Sequence, residues 1–443
     1  METAKSILPI RWTQTLCVLA GLYAILVTAY ICSGTGSPTG GRDFHTFWYA
    51  GNFIRQGHDP YAAYFTGAQP ALPIYYLDGV RRDQYPVAQA DLAVIPSNTP
   101  VMLLVLTPLA YFSWDVAKWI FMAINLILML ITGWLILYAV PFAGVKLAPI
   151  DELLLFLIYF DFSATRIAIE NGQTTLLTFV LMLVAIVYAG QSWKVAGLAL
   201  GVALSKYSLA LPVFLFFLYK ARLKLLLLAV TVQGLGVIGL AAVTGTSPVV
   251  VAMENIQTFF LFVGLPEGGV HLARRFQFLT TNPLLTNIPV LVMTVVVFGS
   301  LLRWLRERKF TAISSGEVID FHVLTVLFIW AMLVGYHASY DTLVLILFVV
   351  LVFKGLAYPN IWELSPRERV MLMAFMAAIP LVLILPARLV DRVLFSWYFG
   401  AISSTVLSVF MIIMMIFSMF LLRRYLQTAS AKKGTLAPAH LDT

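Results

Sequence analysis

Charge is scarce in this sequence. Asp, Glu, Lys and Arg make up 11% of its 443 residues, against 60% for hydrophobic residues. Soluble globules usually carry close to a quarter charged residues, so with a mean hydropathy of +0.89 a soluble globular fold is excluded. Cysteine is nearly missing as well. Cys17 and Cys32 are the only two, and they sit near opposite ends of the first apolar segment, about 22 Å apart at the helical rise. That separation is too great for a bridge within the segment. There is no CxxC, no HExxH and no GxSxG, which leaves zinc, thiol and serine-hydrolase chemistry without support. The alternating ten-residue strands of a membrane β-barrel are not seen. "GTGSPTGG" (34–41) has no strand before it and no GK[ST] after it, so it is a linker and not a phosphate loop. Heptads, internal repeats and low-complexity tracts are missing too.

What fills the chain is apolar windows that reach or approach the roughly 20 residues needed to cross a bilayer. The expectation is an all-α polytopic membrane protein, because lipid leaves backbone polar groups no partners outside a helix. Twelve segments are expected, near 13–33, 114–140, 151–165, 172–190, 194–206, 207–219, 222–243, 284–302, 320–337, 338–354, 369–387 and 394–422. The first follows Lys5 and Arg11 and lacks a clean A-x-A site, so it is taken as an uncleaved helix. The net charge of +8 is concentrated in short stretches such as "YKARLK" (219–224), "RWLRERK" (303–309) and "RRYLQTASAKK" (423–433). Such clusters mark cytoplasmic loops, not a nucleic-acid surface. With both termini inside, every short basic loop falls on the cytoplasmic face, in a cytoplasmic (inner) membrane. The chain is expected to form one domain over 1–443, with external loops at 34–113 and 244–283 and a cytoplasmic tail at 423–443. Within the first loop, "VMLLVLTPLAYF" (101–112) reads as a membrane-surface helix or the bent start of the second span.

Segments 151–165, 194–206, 207–219 and 338–354 are short for a crossing, since 13 helical residues reach only about 20 Å. They read as hairpins whose outward apices dip into a cavity. The apices carry Arg166 with "ENGQ" (170–173), Lys206, and "YHASYD" (336–341).

Several residues on that outward side carry possible chemistry. Asp43 follows the first span beside Phe44, Phe47, Trp48 and Tyr49, a low-dielectric wall that raises a carboxylate pKa and suits stacking on a sugar ring. It is either a plain loop carboxylate or a general base toward a hydroxyl. Lys206, inside a 26-residue apolar run (195–220), is either a snorkelling lysine or a point charge for phosphate. Arg166 and Glu170 are four apart, which permits a simple ion pair. Asn171, Gln173 and the threonines after them open a helix whose free N–H groups suit sugar hydroxyls or an anion. His337 and Asp341 are also four apart, as a capping histidine or a phosphate-binding or proton-handling imidazole. Asp78, Asp83 and Asp91 have no spacing that defines a cation site.

"RDF", "FWYAGN" and "GHDPY" (57–61), followed in order by "NGQTTLLTFVLMLVA", "GLALGVALSK" and "HASYD", resemble the recurring features of glycosyltransferase family 87, over roughly residues 12–420. The resemblance implies a GT-C-type membrane bundle and an inverting transfer of a sugar, mannose in this family, from a polyprenyl-phosphate donor to a hydroxyl of a lipid or glycan acceptor. It places the active site on the outer or periplasmic face, with Asp43 as general base and Lys206 and His337 on the donor phosphate. Arg166, Arg274 and Arg275 are further candidates for the phosphate; His45, Trp48, Tyr49, Asp59, Glu170, Asn171, Gln173 and Asp341 are candidates for sugar or acceptor. These cations stand in for a metal, so no cofactor is required, with Mg²⁺ left open. "QYPVAQADLAVIPSNTP" (84–100) departs from the family's compact Tyr-Pro-Pro leading into the next helix, a longer insertion that bears on the acceptor site. The competing reading is a transporter or flippase whose path is lined by Arg166, Lys206 and His337.

Overall fold

Among the described residues, seven helical stretches are long and apolar enough to cross a membrane: Ile10–Ser33, Trp114–Leu137, Trp193–Tyr219, Leu223–Thr244, Leu285–Trp304, Tyr340–Ala357 and Thr405–Gln427. The helices Ser163–Glu170 and Thr175–Tyr188, bent through 117° at the turn between them, make an eighth if counted as one span. The structure is a computed structural model that describes residues 9–36, 41–62, 98–139, 147–263, 272, 283–308, 316–335, 337, 339–358, 363–384 and 400–434. Every regular element among the described residues is helical. The protein is an all-α polytopic membrane protein, as its composition requires.

We number the helices α1 Ile10–Gly36, α2 Arg42–Arg55, α3 Pro100–Leu106, α4 Trp114–Trp134, α5 Pro149–Asp161, α6 Ser163–Glu170, α7 Thr175–Tyr188, α8 Trp193–Ala203, α9 Tyr207–Tyr219 and α10 Leu223–Thr244. They continue with α11 Pro248–Val263, α12 Pro283–Arg308, α13 Gly316–Val334, α14 Ile346–Ala357, α15 Pro366–Ile379 and α16 Gly400–Gly434. Short 3₁₀ turns at Thr107–Tyr111, Leu204–Lys206 and Ser339–Leu345 adjoin α3, α8 and α14.

One expectation is overturned. The run 194–219 is not a hairpin of two short helices. Helices α8 and α9, joined by the 3₁₀ turn Leu204–Lys206, form a single 27-residue apolar path, Trp193–Tyr219. A 3₁₀ turn tightens a helix without reversing it, so Lys206 stands mid-path and not at an apex. Lys194 and the 220–224 cluster then flank opposite ends of one path, where a hairpin puts them on one face. The stretch 338–354 is likewise not a short hairpin arm, because the 3₁₀ turn and α14 together make the 18-residue path Tyr340–Ala357.

The chain divides into two compact units, one of residues 1–21, 141–163 and 269–443, the other of 22–140 and 164–268. In the first, α14 is buried along nearly its whole length and packs on α15 and α5, while α13 lies along α16. Trp330 Nε1 on α13 donates to Thr294 Oγ1 on α12 at 3.1 Å, giving the indole its polar partner.

The second unit holds the described part of residues 34–113. Helix α2 is amphipathic: Phe44, Phe47, Ala50 and Ile54 fall on one face at helical spacing and are buried against Met102, Leu103 and Leu106 of α3, Phe121 of α4 and Leu240 of α10. Residues 101–112 are thus a separate short helix and 3₁₀ turn under α2, with Val101, Met102, Leu103 and Leu106 buried, and Phe112 and Ser113 break the chain before α4. The approach is close at Gly51, where a Cβ would come within 2.9 Å of Ala110 Cβ and 3.3 Å of Thr107 Cα. Gly51→Leu should therefore lower the melting temperature of the purified protein in detergent, at a cost of about 1–3 kcal/mol for overpacking. Gly299→Leu, at a site with nothing within 4 Å, serves as the control; equal melting of the two variants would disprove the close contact.

Candidate active site

The amino end of α2 is held by a turn that lies 130 residues away in sequence. The N–H of Gly41 donates to the Glu170 carbonyl at 2.9 Å, and those of Asp43 and Phe44 to the Asn171 carbonyl at 2.9 and 3.2 Å. These are the donors that a helix start leaves without intrahelical partners. The turn itself hangs from α6: the N–H groups of Asn171, Gly172 and Gln173 donate to the carbonyls of Ile167, Ile169 and Ala168. Gly172 has a left-handed backbone, φ +66°, and a Cβ there would lie 2.5 Å from Phe44 Cβ. Only glycine serves at such a point. Gln173, 7% exposed, directs Nε2 to Asp43 Oδ2 and donates to it.

Two residues further on, Thr175 opens α7, and its Oγ1 accepts from Lys206 Nζ at 2.5 Å. Lys206 has a non-helical backbone, φ −112° and ψ 68°. The break is stabilised from outside. Ser205 accepts at its carbonyl from the Thr99 N–H at 3.3 Å, and Gln233 Nε2 on α10 donates to the Gly201 carbonyl at 2.5 Å. The buried hydroxyls of Thr174 and Thr178 have no hydrogen-bond partner. The turn 170–175 thus carries the partner of Asp43 and the partner of Lys206 two residues apart.

Arg166, on the helix leading into that turn, is 8% exposed. Its Nη1 donates to Tyr23 Oη at 3.3 Å, and its guanidinium lies 6.0 Å from the centroid of the Tyr30 ring. It makes no ion pair with Glu170 or with another carboxylate among the described residues. The simple i,i+4 pair is therefore not what holds it. Tyr23 and Tyr30, seven apart on α1, share one helical face; that spacing is the sequence signal that would have found them.

The aromatic cluster of α2 is mainly an anchor. Phe44 is fully buried and stacks on Phe121 with centroids 4.3 Å apart, and Tyr49 packs edge-on against Phe53. Trp48 is half-buried and donates from Nε1 to the Phe112 carbonyl at 3.1 Å. The expected wall for a sugar ring is thereby reduced, since the 44, 47, 54 spacing turns Phe44 and Phe47 into the core. His45 lies among Trp48, Tyr49 and Trp114, and burial pushes its pKa down to about 4. It is neutral at physiological pH.

Asp59 is 7% exposed and caps a turn: the N–H groups of Tyr61 and Ala62 donate to its Oδ1 at 2.9 and 3.4 Å, as Asp does at helix starts. Tyr61 Oη donates to the Asn98 carbonyl at 2.7 Å and accepts from Asn255 Nδ2 at 3.1 Å. Asp59 Oδ2 and Glu254 Oε2 are both buried with no hydrogen-bond partner. Glu254 has its pKa raised, by burial first and then by the Asp59 charge.

His337 belongs to the other unit. It is 0% exposed, with Nδ1 3.5 Å from Asp341 Oδ2. Arg274, Arg275, Asp78, Asp83 and Asp91 lie outside the described residues. Among the described residues, no three His, Cys, Asp or Glu side chains gather closely enough to hold a metal ion.

Compared with known proteins, the chain matches the profile described as Glycosyltransferase family 87 over residues 97–386. No curated protein matches it. The matched stretch includes the 170–175 turn, Arg166, Lys206 and the His337–Asp341 pair, and begins after Asp43 and Asp59.

The Asp59–Glu254 geometry gives a test by pH. A carboxyl whose folded pKa is raised binds its proton more tightly folded than unfolded. Stability then falls as pH rises from the unfolded carboxyl value, about 4.3 for Glu, through the raised folded value. Glu254→Gln should melt higher than wild type above that window, and the difference should vanish below it. Melting curves between pH 4 and 8 that stay parallel would rule out the facing carboxylates.

Proposed function

Since the chain belongs to glycosyltransferase family 87 and is a membrane glycosyltransferase, we propose that it moves mannose from a polyprenyl-phosphate donor to a hydroxyl acceptor, on the outer face of the cytoplasmic membrane. Asp43 is the general base. The carrying observation is that one turn holds both ends of the chemistry: Gln173 binds Asp43, and Thr175 binds Lys206. A carboxylate and an ammonium tied to side chains two residues apart suit a base and an anion site set side by side. The family assignment removes the reason to prefer a transporter or flippase.

In this mechanism the acceptor hydroxyl gives its proton to the Asp43 carboxylate while its oxygen attacks the anomeric carbon. The bond from that carbon to the phosphate oxygen breaks, and the electron pair leaves with the polyprenyl phosphate. Attack opposite the leaving group inverts the centre. The departing phosphate gains charge, so the enzyme's larger task is electrostatic. Lys206 supplies a point charge, the amino end of α7 supplies the positive end of its helix dipole, and Arg166 supplies a cation that pairs with no carboxylate among the described residues. A cation at membrane depth costs about 2.5 kcal/mol or more, which an anionic ligand offsets. His337, buried with Asp341 at one nitrogen, is proposed for a phosphate oxygen on its own chemistry. These cations carry the charge that a metal would neutralise, so the proposal needs none.

The test supplies purified protein in lipid with polyprenyl-phosphate-mannose and a panel of lipid and glycan acceptors, and measures released polyprenyl phosphate. Asp43→Asn should cut turnover by roughly 10²- to 10⁴-fold. Undiminished release by that variant, or no release by wild type with any acceptor, would sink the reading. Lys206→Met should raise the KM for donor about tenfold, the effect of losing one charged contact of about 1.4 kcal/mol; an unchanged KM would move the phosphate elsewhere.

A further inference from the structure

The geometry points to Gln173 as a positioning residue: it fixes the orientation and the protonation of the Asp43 carboxylate, and is not itself a sugar ligand. The inference rests on the reading of Asp43 as the base and deepens it. A carboxylate in the first turn of a helix ordinarily bonds to its own helix's open N–H groups. Here those of Gly41, Asp43 and Phe44 are already taken by the Glu170 and Asn171 carbonyls. From across the turn, Gln173 Nε2 donates to Asp43 Oδ2.

Three features make Gln173 suited to that task. Its backbone is immobilised, because its N–H donates to the Ala168 carbonyl at 2.7 Å and Gly172 before it is wedged against Phe44. Its side chain is buried, so it is poorly placed to meet a ligand from solvent. It is also neutral. An Arg or Lys at this point would bind the carboxylate as an ion pair and depress its pKa by one to three units, weakening the base. A neutral N–H donor favours the charged form only modestly, so Gln173 steers the carboxylate without adding a charge of its own. The segment "ENGQ" (170–173) is on this account a cradle for the base, with the anion site beginning at Thr175.

The test reads Asp43 directly. In infrared difference spectra against Asp43→Asn, the protonated-carboxyl band is followed with pH in lipid-reconstituted protein. Gln173→Leu should move the Asp43 midpoint up by about one pH unit, and Gln173→Glu, which is nearly isosteric and sets a second carboxylate beside the first, should move it up further. In the mannose-transfer assay both variants should lower kcat by roughly 10- to 10²-fold, as expected for a misplaced reacting group, with the acid limb of the pH profile displaced in the same direction and KM for donor held. A midpoint unmoved in both variants overturns the inference, as does a loss confined to KM, which would make Gln173 a ligand for sugar. Should wild type show no transfer, the reading of Asp43 as base fails, while the infrared midpoints still decide whether Gln173 controls that carboxylate. If Gln173→Leu does not fold, Gln173→Glu carries the same comparison.

Discussion

Everything in the second unit's site depends on how the backbone of one turn ends another helix. The amino end of helix α2 has N–H groups that its own turns cannot satisfy. The carbonyls of Glu170 and Asn171 take three of them, one at Gly41 and two at Asp43 and Phe44. This fit requires that the turn approach to van der Waals contact, which is why a glycine stands at 172. Once the turn and α2 are joined, Gln173 faces Asp43 as a consequence of the chain path. The catalytic proposal therefore rests on a packing constraint, with the side-chain hydrogen bond as its product.

The same turn governs the cation. A lysine halfway along a 27-residue apolar path is expensive in hydrocarbon, by about 2.5 kcal/mol or more, unless a polar recess receives it. The recess is the start of α7, where Thr175 accepts from Lys206. Local unwinding at Leu204–Lys206 frees backbone groups that would be orphaned in lipid. Thr99 and Gln233 satisfy the carbonyls of Ser205 and Gly201. Broken backbone at membrane depth is tolerated where it lines a protein interior or a cavity, and here the break and the charge coincide.

How much of this the sequence discloses depends on the range of the interaction. Lys206 announces itself, because a single ammonium inside 26 apolar residues (195–220) is visible by composition alone. Its placement does not: a hairpin and a 3₁₀-interrupted helix share the same apolar count, and only the chain direction after Lys206 tells them apart. The amphipathic face of α2 was open to inspection in the 44, 47, 54 spacing, yet the number of aromatics suggested a sugar platform where the helical period makes an anchor. The capping role of Asp59 is local, written in Asp-Pro-Tyr. The Gln173–Asp43 bond was beyond reach, since nothing at position 43 refers to position 173 across 130 residues. Family membership, shown over 97–386, does not supply Asp43 either; the link to the matched stretch is the hydrogen bond from Gln173 to Asp43.

The remaining question is which acidic or basic group near α2 takes the proton, and the three candidates differ by environment. His45 is held neutral among aromatic rings with its pKa near 4, so as a base it is no stronger than a carboxylate, and it has no charge to offer. Asp59 has spent one oxygen on the N–H groups of Tyr61 and Ala62, and its other oxygen is buried in the field of Glu254. A proton accepted there would be sealed from solvent and from any acceptor sugar. Asp43 is partly exposed, as His45 is, but it is a carboxylate that accepts from the Gln173 amide, and it lies against the turn that also receives the cation. General-base catalysis asks for an oriented and reachable carboxylate, and of the three groups Asp43 is the one whose environment fits the proposed role.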